Sequence, residues 1–537
     1  MHPYVVEQFT DAEESVLRRY FTNLEGPVFA LVNLPEVVKG ALFARYSRSS
    51  KSLRRLFLDE FVGDLDLTGD LGIDATVGLD RADELYQRIF FEYGDDSVAQ
   101  LGGVHLACEQ ASNILTKVLE RGRIMSYLEQ STRYLGYDRR LENGLYRYYR
   151  DHDLLESRFG ARYVGEMDRT FDTYAQMLHQ LTEYLTKKYP QTPDDTDFVY
   201  RQAIRAKALD AVRGLLPASS LSNLGIYASG QAYEALLLRM RAHPSTEVRQ
   251  YSQLMLEELR KVIPSFLKRI DVPERGLAWT DYLVESRGAT REVIASLFDD
   301  LSSGEPGEQV RLVSYDAEGE RRVLEAIVFA NSARDHADAA SRVAALSDEE
   351  RARLMRAYVG ERGNRRHRPG RAFERTDYRF ELVTDYGAFR DLQRHRMLTV
   401  EWQSLTVDLG YDVPELIREA GLADAYEESL SRSAELVNDL RAEFPEQAQY
   451  AVALAFRIRY VIQMNAREAM HLIELRSGPQ GHPSYRRVAH EMLRLIREKA
   501  GHSAIADAMS FVDFSETDLE RLEAERAAEK NRAKRDF

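Results

Sequence analysis

A chain of 537 residues is several times the size of an ordinary single core, so two or more domains are expected. Its 73 basic and 87 acidic residues leave a formal charge of −14, a surface that repels phosphodiester backbones and anionic lipid and excludes a general nucleic-acid or membrane-surface binder. Hydrophobic residues make up 44% of the chain, enough for sizeable cores, and the single cysteine, Cys108, excludes intrachain disulfides and cysteine-based zinc sites.

The N-terminal MHPYVVEQFTDAEESVLRRY has neither the charged nor the apolar region of a secretory leader, and no later run approaches about 18 apolar residues, so a cytoplasmic protein is expected. Cys108 falls in VHLACEQA, read as a helix carrying an inert buried thiol. Residues 121–134, RGRIMSYLEQSTRY, crowd three arginines, two serines, a carboxylate and two tyrosines together. Guanidinium forks bind phosphate, and the neighbouring carboxylate and hydroxyls suit a base or sugar, so a nucleotide fits this segment, as does a solvated helix end with internal ion pairs. Phe171, Tyr174, Met177, Leu181 and Leu185 recur at helical spacing, as do Val248, Tyr251, Met255, Leu259, Val262 and Phe266.

The cluster Ser302-Ser303-Gly304-Glu305-Pro306-Gly307-Glu308 marks a domain boundary, giving domains 1–300 and 309–537. Beyond it, QVRLVSY (309–315) alternates as a strand and AEGERRVLEAIVFA returns to helical spacing. Arg362, Arg365, Arg366, His367, Arg368 and Arg371 form a basic loop around Pro369-Gly370, either a phosphate trap or a plain solvated loop. The segment RHRMLTVEWQSLTV (394–407) brings Arg394, His395 and Arg396 together, and Tyr426, Leu430, Ala434, Val437 and Leu440 mark another helix. Ahead of Gly478-Pro479, Asn465, Ala469, Leu472 and Arg476 share one helix line while Arg467 and His471 share the next. The tail from Glu516 to Phe537 is a mixed-charge helix former with no assigned chemistry.

Leu-Gly-Tyr-Asp occurs at 135–138 and at 409–412, each time about a dozen residues after an Arg-x-Arg, and a Leu-Arg pair occurs later in each half, at 238–239 and 475–476. The chain therefore reads as a tandem duplication. No Walker loop, no GxGxxG, no GxSxG and no HExxH is present, and the scattered histidines form no metal triad at ligand spacing, so no metal is expected.

RGRIMSYLEQSTRY resembles the signature RHRxxSxxExSxRY of flavin-dependent thymidylate synthases, matching at Arg121, Arg123, Ser126, Glu129, Ser131, Arg133 and Tyr134, with Gly122 in place of the histidine. The second copy supplies that histidine as His395, has Thr399 for the first serine and keeps Ser404, but departs at Trp402, Thr406 and Val407, with its alignment open by one residue. Asn465, Arg467, Leu475 and Arg476 match the family helix NxRxxxNxxxLR, with His471 replacing an asparagine. Arg213-Gly214-Leu215-Leu216-Pro217 resembles the family's phosphate-contacting segment, and Gly94–Ser97 and Gly370–Glu374 imperfectly resemble its turn containing GHE and FEH.

The resemblance implies a helix-rich α+β fold of two tandem synthase-like domains forming a pseudo-dimer, and a homodimer of the chain would restore the family's four domains. It further implies FAD, NADPH and methylenetetrahydrofolate acting on dUMP without an enzyme nucleophile. By resemblance Arg121, Arg123, Ser126, Glu129, Ser131, Arg133, Arg213 and Arg239 bind nucleotide, with Glu129, Ser131 and Arg133 catalytic, while Glu374, Arg394, His395, Arg396, Asn465, Arg467, His471 and Arg476 hold the flavin. The two partial sets could combine into composite sites. A diverged paralogue that binds flavin or nucleotide without making dTMP, or a nucleotide-sensing scaffold, are the rival readings.

Overall fold

The computed structural model describes residues 4–34, 49–60, 102–193, 195–298 and 304–515, with isolated positions near these stretches. The turn at Gly94–Ser97 and most of the tail beyond 515 lie outside the described residues. In chain order the elements used below are β1 (Val28–Leu31), β2 (Gly103–Ser112), α1 (Asn113–Leu119), β3 (Met125–Glu129), α2 (Gly160–Lys188), α3 (Asp197–Val212), β4 (Leu221–Ser229), α4 (Gly230–Arg241) and α5 (Thr246–Arg260). They continue with β5 (Val310–Tyr315), β6 (Asp377–Asp385), α6 (Tyr386–Leu392), β7 (Thr399–Trp402), α7 (Ala423–Leu440), β8 (Arg457–Asn465), α8 (Ala466–Arg476) and α9 (Pro483–Glu498).

The chain divides into two compact units. One comprises Met1–Gln176, Leu215–Ser302 and Glu428–Ala453; the other comprises Met177–Gly214, Ser303–Glu427 and Leu454–Phe537. Each unit holds one four-stranded antiparallel sheet, and the strand orders, β1-β2-β4-β3 and β5-β6-β8-β7, are the same. The duplication read from short motifs is thus a duplication of topology in a helix-rich α+β fold.

Local chemistry repeats with it. Ser112 and Asp385 end the second strand of each sheet and cap the following helix, their side chains accepting from the backbone N–H of Leu115 and Ala388. Ser229 and Asn465 do the same between the fourth strand and the next helix. In the first unit Val104, Leu106 and Cys108 of β2 and Leu224, Ile226 and Ala228 of β4 pack under Leu236, Met255 and Leu259 of α4 and α5. The helical spacing read for 171–185 falls inside α2, whereas that read for 248–266 runs past α5, which ends at Arg260, so that Phe266 lies in a separate 3-10 segment, Pro264–Asp271; Phe171, Tyr174, Leu181, Leu185, Met255 and Leu259 are buried.

Cys108 corrects a sequence expectation: it lies in strand β2, not on a helix. β2 is central, bonded to β1 and β4 and buried on both faces, so its sequence lacks the alternation that marks a half-exposed strand. Burial pushes the Cys108 thiol up, in keeping with an inert side chain. A bulge between Cys108 and Ala111, with Gln110 at φ 54°, gives β2 one residue more than β6.

Candidate functional site

The two Arg-x-Arg segments occupy the same place in the repeated topology, the turn from the helix after the second strand into the third strand. Counting from the caps Ser112 and Asp385 aligns Arg121-Gly122-Arg123 with Arg394-His395-Arg396. Strand pairing fixes the register beyond these turns. Ser126 stands opposite Tyr227 and Glu129 opposite Leu224 in the first sheet; Thr399 stands opposite Gln463 and Trp402 opposite Tyr460 in the second. Thr399 therefore replaces Ser126 and Trp402 replaces Glu129 in register, so the alignment that sequence left open is closed through Trp402.

In the second unit His395 is buried at 5% exposure and is held from two sides. Arg476 Nε donates to its Nε2 at 2.9 Å, and its Nδ1 lies 3.1 Å from Glu468 Oε1. A guanidinium can only donate, so Nε2 is the acceptor and the ring proton on Nδ1 points to the carboxylate. His471, with its ring centroid 5.2 Å from that of His395, accepts at Nδ1 from Arg368 Nη2 at 3.0 Å. Arg467 of the same helix donates to the Pro369 carbonyl at 3.0 Å and faces Glu374 at 3.7 Å. Asn465 is committed as a cap, its Oδ1 accepting from Glu468 N at 2.9 Å.

Asp391 joins this cluster to a residue from the other half of the sequence. Its carboxylate pairs with Arg394, lies 3.7 Å from Arg476 Nη1, and accepts from Arg213 Nη1 at 3.5 Å. Arg213, at the end of α3, also approaches Asp385 Oδ1 at 3.9 Å. Gly387 permits this approach, because a Cβ there would come within 3.0 Å of Arg213 Nη2 and 2.9 Å of Asp385 Oδ1. Arg213 and Asp385, with Lys207, Asp210, Tyr426 and Ser484, also line a cavity of about 470 Å³ within the same unit.

Burial sets the proton affinities. Glu468 is pushed up to about 7 by desolvation, against the pull of Arg368 and Arg467. His471 is pushed down to about 4 by burial and by Arg368, Arg365 and Arg476, and His395 is driven well below its ordinary value by burial and by Arg476. Near neutral pH both rings are uncharged, and Glu468 is poised to hold or release a proton. Ligand atoms of His395, Glu468 and His471 all lie within 4.8 Å of one another, a metal-like grouping that the sequence reading had excluded. It escaped because His395 comes from a separate turn, while Glu468 and His471 share α8. The ring nitrogens facing Arg476 and Arg368 are already used, and guanidinium groups crowd the cluster, so the donor set suits an anion better than a divalent cation.

The first unit carries the other partial set in a more closed form. Glu129 is 5% exposed and pairs at 3.3 Å with Lys117, whose ammonium also pairs with Glu120. A Cβ on Gly122 would come within 2.6 Å of Met125 Sδ and of the Tyr127 hydroxyl, so these two side chains fill the space beside the position that His395 holds in the second unit and would have to shift for a side chain there. Arg121, Arg123 and Ser126 are exposed, Ser131 and Arg133 half-buried, and the Arg133 amide donates to Ser131 Oγ at 3.3 Å. Arg239 is an exposed residue whose guanidinium is pushed down by desolvation and by the like charge of Arg121. Counting from the caps Ser229 and Asn465 aligns Arg476 with Met240 and places Ser229, Gln231 and Ala235 opposite Asn465, Arg467 and His471, so the Leu-Arg repeat is one residue out of register.

Asp391, Glu468 and Lys117 were missed as site residues. Glu468, three residues after the cap Asn465, reads in sequence as an ordinary helix start, although its side chain goes to His395.

A family model described as thymidylate synthase complementing protein matches residues 43–265 and 311–501. The chain is 40% identical to a UPF0159 protein of Chlamydia muridarum over 96% of this chain and 98% of that one. It is 33% identical to a UPF0159 protein of Thermoplasma acidophilum over 91% of this chain and 97% of that one. Among solved structures, a UMP/dUMP methylase from Streptomyces cacaoi bound with 5-Br dUMP is similar over 38% of this chain and 97% of its own, at 19% identity and a TM-score of 0.32. No helix among the described residues is long and apolar enough to cross a membrane.

Proposed function

Because the chain belongs to the thymidylate synthase complementing protein family, we propose that it is an FAD-dependent thymidylate synthase-like methyltransferase. In this reading dUMP, methylenetetrahydrofolate, NADPH and a proton give dTMP, tetrahydrofolate and NADP⁺. The observation that carries it is the gathering, in one unit, of Arg213 from the first half of the sequence with Arg394 and Arg476 from the second around the Asp391 carboxylate, with Arg476 in turn holding His395.

Arg394, Arg396 and Arg467 supply positive charge for a pyrophosphate. Bound flavin would supply the hydride chemistry, so that the reaction needs no nucleophile from the chain. Glu468 orients His395 through Nδ1 and holds a proton near neutral pH, while Arg476 fixes the opposite edge of the ring. Glu374, Asn465 and His471 complete the holder by positioning Arg467, the start of α8 and Arg368. The nucleotide falls to Arg121, Arg123, Ser126, Ser131, Arg133 and Arg239 of the first unit, with Glu129 acting from its pair with Lys117.

That closed pair, with Gly122 in place of the histidine and Met125 and Tyr127 packed beside it, favours a second reading for the first unit: a diverged copy that binds nucleotide or flavin without chemistry. The test uses the full chain, with FAD binding measured by fluorescence quenching and dTMP formation by chromatography. FAD binding with dTMP formation supports the synthase. FAD binding without dTMP favours the diverged copy, and no binding at saturating FAD refutes both flavin readings.

A further inference from the structure

The basic loop from Arg362 to Arg371 is not absorbed by this reading. It is a built loop. Arg362 is buried against Glu474, donating to its two oxygens at 2.6 and 2.7 Å, and lies over the Phe511 ring at 5.1 Å. His367 Nδ1 accepts from Gly363 N at 3.1 Å, and Asn364 Oδ1 accepts from Arg366 N at 2.9 Å. Arg467 ties down the Pro369 carbonyl, and Arg368 reaches His471, so the loop borders the His395 cluster.

On this fixed frame Arg365 is half-buried and Arg366 exposed, and among the described residues neither has a carboxylate within ion-pair distance. Arg362 and Arg371, by contrast, have Glu474 and Glu374. In a protein of net charge −14, holding two adjacent guanidinium groups unpaired beside three more costs free energy that a bound anion would offset. Two adjacent guanidinium forks match a phosphate monoester dianion better than a single carboxylate. The chain's overall charge disfavours a polyanion as large as nucleic acid.

We propose that this loop recognises the 2′-phosphate of a nicotinamide adenine dinucleotide phosphate reductant through Arg365 and Arg366. Assigning the phosphate to the reductant rests on the flavin reading of the neighbouring cluster; the anion site itself does not. The competing source of phosphate chemistry is the flavin pyrophosphate, and the experiment separates the two.

Full-length protein is titrated by calorimetry with adenosine 2′,5′-bisphosphate and with adenosine 5′-monophosphate, and FAD affinity is measured in parallel. The double variant Arg365→Gln, Arg366→Gln leaves the anchors Arg362, Asn364 and His367 in place, so the loop stays built. The expected result is tighter binding of the bisphosphate than of the monophosphate by wild-type protein, at least about tenfold of which the variant loses, with FAD affinity unchanged. Equal affinity of wild type for the two nucleotides overturns the proposal. An equal fall in FAD affinity also overturns it, assigning the loop to the flavin pyrophosphate instead. If wild type binds no FAD yet keeps the bisphosphate preference, and the variant loses it, the synthase reading fails and the loop assignment holds.

Discussion

Replacing Glu247 by glutamine should turn a pH-dependent stability into a flat one. Glu247 is fully buried at the start of α5, where its carboxylate accepts from Ser112 N at 2.9 Å, Ser112 Oγ at 2.6 Å and Tyr450 OH at 2.8 Å. Burial raises its pKa from 4.5 to about 7, although these three donors pull the other way. Such a rise is worth about 3 kcal/mol between protonation states. Below about pH 4.5 folded and unfolded chains both carry the proton and the site costs nothing. As pH rises toward about 7 the unfolded chain ionises first, and above it the folded protein holds a buried carboxylate at the full cost.

The wild type should therefore lose about 3 kcal/mol of local stability between about pH 5 and pH 8 that the Glu247→Gln variant keeps. Glutamine preserves the shape and can still accept from Ser112 N while the hydroxyls rotate, so the two proteins should be nearly equal at the lower pH. Hydrogen exchange of the α5 amides, corrected for intrinsic rates, reads this as roughly a hundredfold change in relative protection. A wild-type-to-variant difference that stays constant across that interval would refute the reasoning.

Lys117→Met should destabilise the first unit by about 3–5 kcal/mol, because it removes the ammonium that the buried Glu120 and Glu129 share, and denaturant unfolding checks this; a loss under about 1 kcal/mol would mean that other groups hold these carboxylates. His395→Gly, which copies Gly122 of the other unit, removes the partner of both Glu468 and Arg476 and should weaken FAD binding at least about tenfold by fluorescence quenching. Unchanged affinity would move the flavin away from this cluster. Arg133→Ala should lower dUMP affinity by about tenfold in calorimetry while leaving FAD affinity alone; a parallel loss of both would show that the residue supports the fold rather than the nucleotide.

Much of the architecture was legible because it is written locally. Helical spacing located α2, α5 and α7, the alternation at 309–315 located β5, and repeated short motifs betrayed the duplication that the two matching sheets display. Strand β2 was misread because a strand bonded on both edges and buried on both faces carries no alternation. The Leu-Arg repeat misled by one residue, since α4 and α8 are set in register by their caps and not by the residues at their far ends.

By itself the sequence determined the residue types of the two partial sites: arginine forks, a histidine between arginines, a carboxylate beside serines, and no usable thiol. Those are side-chain chemistries, and composition at a given spacing reveals them. Only the tertiary structure decided which of them meet. It grouped Arg213 with Asp391 and Arg394, turned Glu468 from a helix-start residue into the partner of His395, and closed Glu129 against Lys117. Contacts between elements far apart in sequence, and the burial that moves a carboxyl from 4.5 to about 7, depend on what the fold packs around each group, and no local pattern encodes that.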